Sequence, residues 1–406
     1  MVLFLWFMLI YFPTYALGNS NTKGQIFFFV TYLFTIALAF IFINGTKKTI
    51  IPKNELISIV SVFILIIITF LVKLPFSNIS ELINHSRFLF YLFVFIFIVN
   101  ILARSSVTPQ QLLTGLNYTV FSLLIFNLMH LLSPSLISLI NNRPIWGFRG
   151  ISVGGPFVWS YIFSFFLLPI FFIYLNLLLF KFKLKFLLIL LFILSCLLLG
   201  QSKASYIALV FTLFNFALLS MIYKLDNRRK VYLGVLCFFI FIVSLLISFP
   251  SLFSAIINGF SAFFQNANDA STSGRLRQIN IAISSVNQGN LIDVLFGVAE
   301  PKEVIENAYF SYFYKYGLFG ICALIFLYMY LLIISYHYLS KAIRFKYDLI
   351  SSSIFIGFNS MCISILFFSL GSSPIDANKS SYFFFFSWAL VIYLRKFNET
   401  KLPIYN

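Results

Sequence analysis

The chain has 406 residues, of which 61% are hydrophobic and only 10% charged, and its formal net charge is +17. A soluble domain sits nearer half apolar and about a quarter charged, so a soluble globular protein is excluded. The bases are spread over short loops rather than gathered on one face, which argues against a nucleic-acid partner despite the positive charge.

Apolar runs of spanning length recur from end to end, and none of them alternates. The pattern predicts an all-α polytopic membrane protein rather than a β-barrel, because lipid leaves helices as the way to satisfy backbone groups. About twelve spans are expected at roughly 20 residues each. In chain order they are 1–17, 25–44, 55–73, 87–104, 112–132, 157–180, 186–200, 204–223, 231–249, 318–340, 350–370 and 381–394. Ala16 and Gly18 give the first span a small-x-small pattern, but it lacks a basic n-region, so it is expected to stay as an uncleaved span. Residues 1–406 are read as one membrane domain.

Between spans nine and ten lies the one long polar segment, 250–316. It holds Asp269, Asp293, Glu300, Glu303 and Glu306, five of the chain's 11 acids. The Lys/Arg bias sets its side. With the N-terminus in the cytoplasm, seventeen of the 28 bases fall on inner segments, led by Lys181-Phe-Lys-Leu-Lys185, Asp226-Asn-Arg-Arg-Lys230 and Arg344 to Lys346. Both termini are then cytoplasmic and 250–316 is a large extracytoplasmic loop. The remaining bases stand against the bias and invite a functional reading; they include Arg143, Arg149, Lys203, Arg275, Arg277, Lys302 and Lys315. The four cysteines fall inside apolar spans, where they are expected as small buried residues without disulfides. The three histidines are scattered without metal spacing, so neither a metal site nor a cofactor is expected.

Four stretches carry candidate chemistry. Trp146-Gly-Phe-Arg-Gly-Ile-Ser-Val-Gly-Gly-Pro156 is a glycine-rich approach to a span with Arg149 inside it; it reads equally as a tight turn into a helix. Leu199-Gly-Gln-Ser-Lys-Ala-Ser205 is a minimal turn with Lys203 at the head of the next helix. Residues 271–289 predict a short amphipathic helix on the membrane surface or on the protein. Ser271, Thr272 or Ser273 is suited to cap it and Gly289 to end it, and Leu276, Ile279, Ile283 and Val286 form its apolar stripe. Arg275 falls at the edge of that stripe, in the expected first turn, where the helix dipole disfavours a cation and a bound anion would remove the conflict. Arg277 falls on the far side as the more solvated arginine. Glu306-Asn-Ala-Tyr-Phe-Ser-Tyr-Phe-Tyr-Lys-Tyr-Gly-Leu-Phe-Gly320 runs from the loop into a span. On a continuous helix Glu306, Tyr309, Phe310 and Phe313 share a face, which places a carboxylate at the mouth of an aromatic cleft suited to sugar rings. The plain alternative is an interfacial aromatic belt with a solvated Glu306.

In this order the four stretches resemble the O-antigen polymerase and ligase superfamily of bacterial envelope glycan assembly, over roughly residues 145–320. Arg149-Gly…Gly-Gly-Pro156 resembles its first motif, and Gly200-Gln-Ser-Lys203 its Ser-Arg turn, with Lys203 in place of Arg. Ser273-Gly-Arg275 followed by Leu295-Phe-Gly-Val298 resembles the Ser-Gly-Arg…Leu-Phe-Gly-x-Gly pattern, with Ala299 where the last glycine would stand. Glu306-Asn-x-Tyr309…Gly317-Leu-Phe-Gly320 resembles the His-Asn-x-Tyr…Gly-(Leu/Ile)-x-Gly motif, with Glu306 in place of His, a departure that favours polymerase over ligase. The resemblance implies a GT-C-like membrane glycosyltransferase in the bacterial inner membrane. It implies that the enzyme polymerises undecaprenyl-diphosphate-linked repeat units into O-antigen or capsular polysaccharide, in the manner of lipopolysaccharide assembly. Donor and acceptor are both lipid-linked glycans, and a chain-length regulator is a further implied partner. Glu306 and Arg275 would be catalytic. Arg149, Lys203, Arg277, Asn307 and Tyr309 would bind diphosphate and glycan. The rival expectations are an O-antigen ligase and, from another class, a lipid-linked glycan flippase or transporter. Spans nearly free of charge and the absence of an internal repeat speak against a transporter.

Overall fold

The computed structural model describes residues 51–76, 95–103, 107–133, 157, 160–200, 202–223, 228–250, 270–298, 301, 303–375 and 378–400. The predicted spans 1–17 and 25–44, the first half of 87–104, and Arg149 lie outside them. Among the described residues the protein is all helical, without strands. The helices are α1 Lys53–Lys73, followed by a 3-10 turn Leu74–Phe76, then α2 over 95–103, α3 Pro109–Leu132, α4 Ser160–Phe180, α5 Leu184–Leu199 and α6 Lys203–Ile222. They continue with α7 Arg228–Ser248, α8 Ala270–Asn287, α9 Leu291–Phe296, α10 Ala308–Arg344, α11 Leu349–Phe368 and α12 Asn378–Glu399. Six of the described helices, α1, α3, α4, α6, α10 and α11, are long and apolar enough to cross a membrane. The protein is a helical bundle of polytopic membrane type.

Local chemistry sets the helix starts. Thr108 and Gln111 form a capping box ahead of α3, with Pro109 at its first position, where the missing N–H costs nothing. Asp348 caps α11 through the Ile350 and Ser351 N–H groups, and Asn307 caps α10 through the Phe310 N–H.

The centre of the bundle is α4 against α11. A side chain at Gly357 would run into the Pro169 carbonyl and Ile173, so the two helices meet backbone to backbone as small residues allow in lipid. Asn176 donates to Ser353 at 2.8 Å and Asn215 to Asn359 at 2.8 Å. These bonds satisfy polar groups that the apolar interior would otherwise penalise. Of the cysteines expected to be buried, Cys196 and Cys362 are, whereas Cys237 and Cys322 are exposed on the outer faces of α7 and α10. A thiol is apolar enough to stand on a face of a helix of this composition.

Side-chain contacts fix the helix directions. Phe165 meets Phe368 and Asn176 meets Ser353, so α4 and α11 are antiparallel. Phe211 stacks on Phe367 while Asn215 bonds Asn359, so α6 is antiparallel to α11 as well. Glu55 meets Arg395, and Lys73 meets the 298–315 region, so α1 runs from one end of the bundle to the other. The two ends differ in charge. One carries Lys53, Lys181, Lys183, Lys185, Arg228, Arg229, Lys230, Lys341, Arg344, Lys346, Arg395 and Lys396. The other, which bears α8 and α9, carries Lys73, Lys203, Arg275, Arg277 and Lys315.

The helical stretch of α10 is two limbs. Gly317 has φ 64° and ψ −157°, outside helical space. The limb 308–316 folds back on 318–344: a side chain at Gly320 would meet the Tyr312 carbonyl at 3.0 Å, and the Tyr309 and Tyr328 rings lie edge to face at 6.1 Å. The longer limb of α10 begins just after Gly317, where the apolar pattern predicts a span to start.

Candidate functional site at the loop end of the bundle

Arg275 and Glu306 come from different elements and meet across 31 residues of sequence. The Arg275 Nε stands 3.3 Å from Glu306 Oε2, with the two side chains 33% and 51% exposed. One turn along α8, the side-chain amide oxygen of Gln278 accepts the Glu306 N–H at 3.0 Å. Arg275 and Gln278 thus grip Glu306 at its carboxylate and at its backbone. The Nη1 and Nη2 atoms of Arg275 have no hydrogen-bond partner among the described residues, and the guanidinium stands beside Gly371 in the turn after α11.

The face of α8 that packs inward differs from the predicted stripe. Ala282 and Val286 are fully buried against Ile305 and Tyr314, with Phe310 and Phe313 packed around them, while Leu276 and Ile283 are 55% and 37% exposed. The helix docks on the chain at 305–314 along the line Arg275, Gln278, Ala282, Val286. That choice is set by contact with this segment rather than by the most apolar side of the helix alone. The helix also starts earlier than expected, at Ala270. Arg275 is therefore in its second turn, and the dipole conflict read from a first-turn position is weaker, because the field of the helix end fades within a turn. Gly289 follows the end of α8 at Asn287, as the spacing predicts.

Asn307 and Tyr309 bolt this segment to α11. Asn307 Nδ2 donates to the Leu370 carbonyl at 3.0 Å, the Ala308 N–H donates to Ser369 at 2.9 Å, and the Tyr309 hydroxyl donates to Leu366 at 3.2 Å. Tyr328 shares a 2.7 Å hydrogen bond with Ser369. The start of α10 thereby supplies the donors that the carbonyls at the end of α11 lack. Glu306 precedes the helix rather than sharing its face. Phe310 and Phe313 pack in the loop cluster, and the Tyr309 hydroxyl is committed to Leu366. The three rings do not share one cleft with Glu306: the helix starts after it at Ala308, and Phe310 and Phe313 pack against α8 while Tyr309 packs on the main core.

Two glycines of the loop stretches explain each other. Gly297 has φ 86°, and a side chain there would meet the backbone of Lys315 at 2.5 Å and of Tyr316 at 2.6 Å. A side chain at Gly317 would run into the backbone of Leu295 and Phe296. Leu295-Phe-Gly297 and Tyr316-Gly317 cross backbone on backbone, and only glycine tolerates both the approach and the left-handed conformation. The Val298 N–H donates to the Tyr314 carbonyl at 2.9 Å beside the crossing. Lys73, which the sequence reading did not select, locks it. This lysine at the end of α1 is 4% exposed; its ammonium donates to the Val298 carbonyl at 2.6 Å and to the Lys315 carbonyl. The signal that would have found it is a base at the end of a predicted span that the Lys/Arg bias assigns to the outside.

The other predicted residues fall at the same end of the bundle. Lys203 opens α6, eight residues before the Phe211 that stacks on Phe367. At about 1.5 Å per residue, it reaches past the end of α11. Gly200 packs against Ser164 near the start of α4, where Phe157 is buried between Phe163 and Phe166. The described structure thus brings Arg275, Glu306, Asn307 and Tyr309 together. It places Lys203 at the same end, and leaves Arg277 exposed on the outer side of α8. No protein-family model matches the chain, and no curated protein matches it in sequence.

Proposed function

We propose that the protein is a membrane glycosyltransferase that polymerises undecaprenyl-diphosphate-linked oligosaccharide repeats, and that its site is the Arg275–Glu306 pair. The observation that carries this reading is the pairing itself. Two stretches chosen separately for an anion-binding cation and a carboxylate meet at 3.3 Å, on a rigid mount, at the end of the bundle where α4 and α6 begin. In this proposal twelve spans place that end outside the inner membrane of a bacterium, with both termini in the cytoplasm. The excess of Lys and Arg at the opposite end supports that orientation.

The chemistry follows from charge development. A hydroxyl of the acceptor sugar attacks the anomeric carbon of the donor, a C–O bond forms, and the bond to the diphosphate oxygen breaks, with the electron pair leaving on undecaprenyl diphosphate. The Nη1 and Nη2 of Arg275, aided by Lys203, neutralise that leaving group where charge grows. The Glu306 carboxylate takes the hydroxyl proton. Arg149 and Arg277 complete the basic surround in this reading, and Asn307 and Tyr309 hold the segment that aims Glu306.

The test is glycan length on a gel from cells lacking the protein. Loss of the ladder, with one repeat unit still joined to its acceptor, is the expected result. Lipid-linked polymer with a bare acceptor would instead show a ligase. Single lipid-linked repeats trapped at the cytoplasmic face would show a flippase and sink the polymerase reading.

A further inference from the structure

The glycines of this chain divide into those the backbone requires and those it does not. Gly297 and Gly317 are left-handed and in backbone contact, and Gly357 meets a neighbouring helix too closely for any side chain. Gly371 is different. Its backbone is not in the left-handed region, and the nearest atoms to a side chain placed there are the guanidinium of Arg275: the central carbon at 3.7 Å, Nη2 at 3.8 Å and Nη1 at 3.9 Å. A methyl group would sit there in ordinary contact. A larger side chain would extend over the fork of the arginine.

The turn that carries Gly371 is held rigidly. Leu370 and Ser369 accept from Asn307 and Ala308, and the Gly371 N–H donates to the Phe368 carbonyl at 3.0 Å. On the far side Ser380 donates to Pro374, and Ser381 to Ile375. With Nε of Arg275 on Glu306, the near-equal distances to the central carbon, Nη2 and Nη1 place Gly371 over the face of the guanidinium, where a longer side chain would overhang both terminal nitrogens. On α8 itself, Gly274 has open space around the position of a side chain. Gly371 therefore borders a cation whose terminal nitrogens have no partner among the described residues.

We infer that the α11–α12 turn at Gly371 is a wall of the diphosphate site, and that its missing side chain keeps open the gap through which a lipid-linked diphosphate reaches Nη1 and Nη2 of Arg275. The inference rests on the proposed function and adds a residue that acts through space rather than through charge: Gly371 is a positioning residue that sets which head groups fit.

The experiment uses the full chain in phospholipid vesicles and measures binding of undecaprenyl diphosphate, with thermal melting followed alongside. Arg275→Ala should weaken binding about 100-fold. Gly371→Ala should bind within a few-fold of the native chain, and Gly371→Leu should bind about ten-fold more weakly or worse, the loss of one charge-assisted contact, at an unchanged melting temperature. Adding Gly371→Leu to Arg275→Ala should change nothing more, since both act on one contact. Native-like binding by a folded Gly371→Leu chain overturns the inference and leaves the proposed function standing. Failure of the native chain to bind the lipid overturns both. If Gly371→Leu does not fold, Gly371→Val and Gly371→Ala replace it, and equal affinity across that pair and the native chain overturns the inference.

Discussion

The bundle has an arginine–glutamate pair at each end, and the two are built for opposite purposes. At the loop end Arg275 and Glu306 are 33% and 51% exposed, and only Nε of the arginine is engaged. At the other end Arg395 is 17% and Glu55 2% exposed, and the arginine is surrounded. Its Nη1 lies 3.5 Å from Glu55 and donates to the Tyr338 hydroxyl at 3.1 Å, its Nε lies 3.4 Å from Glu399, and its guanidinium stands over the Tyr338 ring at 5.0 Å. Glu399 also meets Lys341 at 3.7 Å. A solvated pair contributes little to stability and is free to change partners. A buried pair is costly to break because the orphan charge stays in an apolar place. The same two residue types thus form the proposed site at one end and a tie between α1, α10 and α12 at the other.

That contrast is open to attack by substitution, and the largest effect is expected at the buried tie. Arg395→Met leaves Glu55 without its cation and should cost about 3–5 kcal/mol of stability, read as a fall in melting temperature. Adding Glu55→Leu should recover part of the loss, and a neutral single variant would erase the distinction between the two ends. Next comes the glycine crossing. Gly317→Val forces a branched side chain into left-handed backbone, which costs about 1–3 kcal/mol before any clash. Gly297→Val should do the same, and the double variant should be little worse than either, because both open one crossing. Limited proteolysis of the 291–317 segment measures this. Lys73→Met removes a charged donor from two carbonyls and should cost about 1.5–3 kcal/mol, again visible as loop cleavage, with Lys73→Arg less severe. The smallest effect on stability is expected at the exposed pair. Arg275→Ala should change stability by less than about 1 kcal/mol, while glycan transfer falls about 100-fold.

How much of this could be read from the residues depends on the range of the interaction. Helix α4 was legible because a run of spanning length, broken only by Ser164, Pro169 and Asn176, has one outcome in lipid, whereas the caps at Thr108 and Asp348, three residues long, were passed over in favour of the apolar runs that follow them. Arg275 and Glu306 were legible one at a time, through an amphipathic edge and a polar residue before an apolar run. Their contact was not, since nothing in a 3.6-residue period relates positions 31 apart. The turn of α8 toward Ala282 rather than Ile283 was decided by Ile305 and Tyr314, residues on a different segment. The break in α10 left a trace in Gly317 and Gly320, but an apolar run with glycines also reads as a continuous helix. What singles out Gly317 is the backbone of Leu295 pressed against it. Gly371 was invisible for the same reason: only the neighbouring guanidinium gives its bare backbone a meaning.

The most direct measurement is polymer length made by the purified protein in vesicles that contain an undecaprenyl-diphosphate-linked repeat unit, native chain against Arg275→Ala and Glu306→Gln. The native chain should build a ladder, and both variants should stop at the single repeat while melting as the native chain does. A folded Arg275→Ala protein that elongates glycan at the native rate would contradict the assignment of the loop-end pair as the site of reaction.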